Sequence, residues 1–104
     1  MAFGFPANAR GEKHFEVSEE QLLEAIRDTL QVLEWPYEEP ADGVFHLRRG
    51  MGLLSYGERV EITAEPDGTV HVHSKCVWPL QLIDWGKNAT NVDAFLSGLS
   101  RMLS

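Results

Sequence analysis

A stretch of 104 residues with 43% apolar and 10% aromatic content has room for one domain with one hydrophobic core, and most of it is expected to be ordered. Sixteen acids against nine Lys and Arg give a formal charge of −7, and a single cysteine excludes an internal disulfide. The charge is uneven, because the stretch from Glu12 to Asp42 holds ten acids and only Lys13 and Arg27 as bases, while the remainder is close to neutral. Such a chain lacks the basic footprint of a phosphate-backbone binder, so nucleic acid is not an expected partner.

The opening residues have no basic region followed by an apolar one, as a secretory signal would, and no apolar run approaches the roughly 18 residues of a membrane span. A cytoplasmic protein is the expectation. Residues 1–12, rich in Gly, Pro, Ala and Asn around Phe3 and Phe5, read as a flexible arm, and 13–104 as a single domain. His14 to Val17 alternates as a short strand would. Ser18 with Gln21 three positions on makes a capping box, and Val17 and Leu22 are placed as a hydrophobic staple. Leu22, Ile26, Leu30 and Leu33 form a stripe at helical spacing, and Pro36 ends the helix near Glu34 and Trp35.

Glu38 to Gly43 reads as a turn-rich link. Val44 to Leu54 alternates with Phe45 and Leu47 on one side. Glu58 to Glu65 places Val60, Ile62 and Ala64 on one face and Arg59, Glu61 and Thr63 on the other. Pro66-Asp67-Gly68 is a hairpin turn, and Thr69 to Trp78 carries Val70, Val72, Ser74 and Cys76 inward. Val92, Phe95, Leu96, Leu99 and Leu103 lie at helical spacing, with Trp85 ahead of them. This second helix begins near Asp84 as cap, or at Thr90 with Asp93 as its capping-box partner. The expected fold is α+β, a two-layer sandwich in the order β-α-β-β-β-α. Its four-stranded, mainly antiparallel sheet has two helices on one face and water on the other.

All four histidines fall on the wet face. If Glu65 pairs with Thr69, Thr63 stands opposite His71, Glu61 opposite His73 and Arg59 opposite Lys75. His71, His73 and Glu61 could then share a zinc ion, although solubility of an open sheet face explains the same residues. Arg59 opposite Lys75 could hold an anion, or simply splay into water. Cys76, beside valines, reads as an inert core thiol. No cofactor motif is present: there is no phosphate-binding glycine loop, no C-x-x-C and no G-x-S-x-G. The segment Trp78 to Asn88 is the most distinctive. Trp78, Asp84, Trp85, Lys87 and Asn88 could line a binding surface where the sheet end meets the second helix, or serve packing and capping, with Lys87 and Asn88 at least partly exposed.

Ser74 followed by Asp84-x-Gly86-x-Asn88-x-x-Asn91-Val92-x-x-Phe95-Leu96, together with the Ser55-Tyr56-Gly57-Glu58 turn, resembles the C-terminal signature of widespread bacterial families of uncharacterised small proteins. The resemblance implies a bacterial α+β module of a kind often found in membrane-associated or envelope proteins, and implies no activity. Three functions compete. The first is a non-enzymatic module binding a small ligand or a protein partner. The others are a metal-dependent activity on the His71/His73 face and a self-associating structural protein, monomeric or weakly dimeric.

Overall fold

The computed structural model describes residues 8–50, 57–76 and 87–104. Five strands and two helices follow in the order β1 (Asn8–His14), α1 (Glu19–Val32), β2 (Glu38–Ala41), β3 (Val44–Arg49), β4 (Glu58–Ala64), β5 (Thr69–Cys76) and α2 (Lys87–Leu103). The sheet is antiparallel with strand order β1-β5-β4-β3-β2, so the first strand pairs with the last. The α+β class and the two helices agree with the sequence reading, but the sheet has five strands where four were expected.

The extra strand is β2, whose sequence Glu-Glu-Pro-Ala is poor in β-formers. It pairs as an edge with β3, where Pro40 can be accommodated. A second correction concerns the N-terminus: the strand expected at 14–17 lies at 8–14, so residues 8–12 belong to the sheet and not to an arm. Its inward residues Ala9 and Gly11 are small because α2 lies directly on them. A Cβ built on Gly11 would stand 2.5 Å from Val92 Cγ1. The pattern is therefore too weakly apolar to read as a strand.

Helix α1 starts as expected. Ser18 Oγ accepts the Gln21 N–H at 3.1 Å and the Gln21 side chain accepts the Ser18 N–H at 3.1 Å, which completes the capping box. The helix ends in a Schellman motif. Trp35 N–H donates to Leu30 C=O at 2.9 Å, Glu34 N–H donates to Gln31 C=O at 3.0 Å, and Glu34 takes φ +60°. Trp35 is thereby turned inward and buried.

The hairpin register is the one expected: Glu65 N–H donates to Thr69 C=O at 2.8 Å, Thr63 faces His71, Glu61 faces His73 and Arg59 faces Lys75. Gly68 sits at φ +100°, a conformation that L side chains avoid, and a Cβ there would strike the Phe15 carbonyl. Both helices cover one face. Leu22, Ile26 and Leu30 of α1, Phe45, Val60, Ile62 and Val72 of the sheet, and Phe95 and Leu99 of α2 share one core, each at most 1% exposed. Among the described residues no helix is long and apolar enough to cross a membrane.

Candidate functional site

The sheet's inward face is apolar until the end where β3, β4 and β5 approach the start of α2. There the inward positions become Arg49, Glu58 and Ser74. Arg49 and Glu58 are register partners, so their side chains leave the sheet on the same side. Glu58, Ser74, Asn88 and Asn91 are all buried, between 0% and 6% exposed. Burying so many polar groups is costly unless they bond to each other.

They bond in a directed chain. Asn91 Nδ2 donates to Glu58 Oε1 at 3.0 Å and to Ser74 Oγ at 3.2 Å, and Ser74 Oγ donates to Asn88 Oδ1 at 2.6 Å. Asn88 Nδ2 in turn donates to Cys76 Sγ at 3.5 Å. Asn88 and Asn91 are spaced three apart, so one face of α2 presents both amides to the sheet. The chain leaves two buried atoms over. Among the described residues, Glu58 Oε2 and Arg49 Nε have no hydrogen-bond partner. The Arg49 guanidinium lies over the Trp35 ring, 4.3 Å from its centroid.

A cleft of about 240 Å³ opens at this place, lined by Arg49, Gly50, Glu58, Lys87, Thr90 and Asn91. Gly50, at φ +72°, keeps the approach to the carboxylate clear, since a Cβ there would sit 2.8 Å from Glu58 Oε2. The cleft thus combines a buried acceptor, a buried donor and a rim cation in Lys87. Its size suits a small polar molecule.

Of the five binding residues expected from sequence, Trp78, Asp84 and Trp85 lie outside the described residues. Lys87 lines the cleft. Asn88, expected to be partly exposed, is instead fully buried because its amide joins Ser74 to Cys76. Thr90 as a helix cap is also corrected, since α2 is already helical at Lys87. Cys76 is half-buried and part of the polar chain, not a bare core thiol.

The wet face carries the histidines as expected, but ring nitrogens of His14, His46 and His71 meet carboxylates. His71 Nδ1 stands 3.0 Å from Glu12 Oε1 and its Nε2 stands 2.9 Å from Glu65 Oε1. Glu61 lies 3.7 Å from His46. His73 is half-buried with Nε2 unpartnered, and burial, then Arg10 and Lys75, hold its pKa below the ordinary value. Among the described residues, no three His, Cys, Asp or Glu side chains converge to hold a metal ion.

No protein-family model matches this chain, and no curated protein matches it. Sequence reasoning missed Glu58 and Asn91 as site residues. The signal was present in their parity: Glu58 shares the inward face of Val60 and Ile62, and Asn88 and Asn91 continue the buried stripe of Val92, Phe95 and Leu99 toward the helix start.

Proposed function

We propose that this chain is a non-enzymatic binding module that holds a small polar molecule in the cleft between the ends of β3 and β4 and the start of α2. The observation that carries the reading is Glu58. Its carboxyl is 2% exposed, with one oxygen held by Asn91 and the other unpartnered beside Gly50. Leaving a buried donor or acceptor unmade costs about 1–3 kcal/mol, more if the group is charged. A ligand presenting a donor to Glu58 and an acceptor to Arg49 or Lys87 would offset that cost.

Binding is favoured over catalysis by the surroundings of Ser74. Its hydroxyl lies between two asparagine amides, neither of which can take its proton, and it is fully buried. The resemblance to uncharacterised bacterial families is compatible with the same reading. Four of the polar residues that carry that resemblance, Ser74, Asn88 and Asn91 with Glu58 of the upstream turn, form one cluster.

The test is native mass spectrometry of the protein from its own cells, followed by thermal shift with the released molecule. Glu58→Gln keeps the shape and an oxygen for Asn91, while placing an NH₂ where the free acceptor was. It should keep the fold and lose both the bound molecule and the thermal shift. An unchanged shift in Glu58→Gln would reduce the cluster to a structural bracket between sheet and helix.

A further inference from the structure

One end of the sheet's open face gathers cations. One row across three adjacent strands reads Arg48, Arg59 and Lys75, each directly opposite the next in register. Arg10 follows in the neighbouring row, opposite His73. All four are exposed, and among the described residues no carboxylate lies within ion-pair distance of any of them. Four of the nine Lys and Arg of an acidic chain are thus gathered on one patch. Of the face's carboxylates, Glu61 and Glu38 stand in the neighbouring row, Glu61 3.7 Å from His46, while Glu12 and Glu65 lie further along, committed to His71.

Like charges directly opposite one another weaken strand pairing. Three in a row, with Glu61 and Glu38 only in the neighbouring row and no described carboxylate in ion-pair contact, make an arrangement that an anion would stabilise. Adjacent strands are about 4.8 Å apart, so the row spans about 10 Å. Beside it, a hollow of about 600 Å³ is lined by Arg48, Arg59, His46, the exposed ring of Tyr37 and one carboxylate, Glu38.

We propose that the Arg48-Arg59-Lys75 row, with Arg10, binds a soluble small molecule bearing two or more phosphate groups. Arginine forks fit phosphate oxygens in pairs, and three of the four cations are arginines. A compact occupant is chosen over a polymer or a membrane by the charge of the rest of the chain. The patch attracts within a Debye length of about 8 Å at physiological salt. An extended polyanion would instead lie along a protein whose residues 12–42 are strongly acidic.

The experiment is calorimetric titration with inorganic tripolyphosphate at 150 mM salt, using the intact chain. One saturable site is expected, weakened about tenfold or more by Arg59→Gln, as loss of one charge-assisted contact gives. Arg59→Gln should melt no lower than the wild type, since it removes a repulsion. Arg59→Lys should bind with intermediate affinity, and Arg101→Gln, on α2, should bind as the wild type. In the bound state the His73 imidazole, faced by Arg10, Lys75 and Glu61, should titrate at higher pH by NMR, because the anion favours its charged form. Absence of a saturable site, or equal affinity in Arg59→Gln, would overturn the proposal. So would tighter binding of a twelve-nucleotide single strand or of phosphatidylglycerol vesicles than of tripolyphosphate.

Discussion

Glu34 offers the sharpest test of how the first helix is held. It is the αL residue of the Schellman motif, at φ +60°, and among the described residues it alone takes a positive φ without being glycine. For an L residue that conformation costs about 1–2 kcal/mol, and glycine avoids it. Glycine also raises the entropy of the unfolded chain, which returns about 0.5–1 kcal/mol of the gain. Glu34→Gly should therefore stabilise the domain by about 0.5–1 kcal/mol. For a domain of this size that corresponds to a Tm higher by about 2–8 °C. The assay is thermal and urea denaturation followed by circular dichroism, with Glu34→Ala beside it. Alanine removes the same carboxylate but keeps the αL strain, so it separates charge from backbone and should show no comparable gain. A Glu34→Gly protein that melts at or below the wild-type temperature would refute the argument. It would mean that the Leu30, Gln31 and Trp35 bonds depend on the glutamate side chain.

Gly11→Ala should destabilise by about 1–3 kcal/mol in urea melts, because the new methyl would meet Val92 Cγ1 at 2.5 Å and Leu96 Cδ1 at 2.9 Å. The stiff Val92 leaves little room to yield, so Gly11→Ala with Val92→Ala should lose less than the two single losses added together. Arg27 and Glu39 join α1 to β2 through two hydrogen bonds of 3.0 and 2.7 Å, and the Arg27 hydrogen bond holds the Glu39 pKa below its ordinary 4.5. The carboxylate's contribution is therefore present above that value and lost as pH falls through the lower folded-state value. Glu39→Gln should cost about 0.5–1 kcal/mol at pH 7, both groups being partly exposed, and the difference from wild type should vanish on acid titration.

What the sequence made legible was whatever buries large side chains at regular spacing. Ser18 and Gln21, the Leu22-Ile26-Leu30 stripe, the Pro66-Asp67-Gly68 turn and the inward valines all occur as their local chemistry requires. Two strands escaped because neither advertises burial. Ala9 and Gly11 are small to admit α2, and Glu38 to Ala41 is an edge whose pairing is set by β3. The site escaped for a different reason. Ser74 is legible as inward from the alternation of its strand, but Glu58, Asn88 and Asn91 are polar, and polar residues near a turn or a helix start read as caps or solvent-facing groups. Only the sheet register and the helix phase together place all four inward.

The pairing of the first strand with the last has a consequence for synthesis. His14 and Thr69 bond across 55 positions of chain, and they form the near end of the β1–β5 ladder. At about 5–20 residues per second, β1 leaves the ribosome about 3–11 s before its partner exists. Until it docks, β5 presents a bare edge with Val70 and Val72 on its inner side. That edge can pair with the β1 of a neighbouring nascent chain when its own is held away, although the tethered strand has the higher effective concentration. Crowding at the N-terminus, by a bulky fusion or a slow-folding leader, should therefore appear as strand-exchanged dimers that increase with expression level.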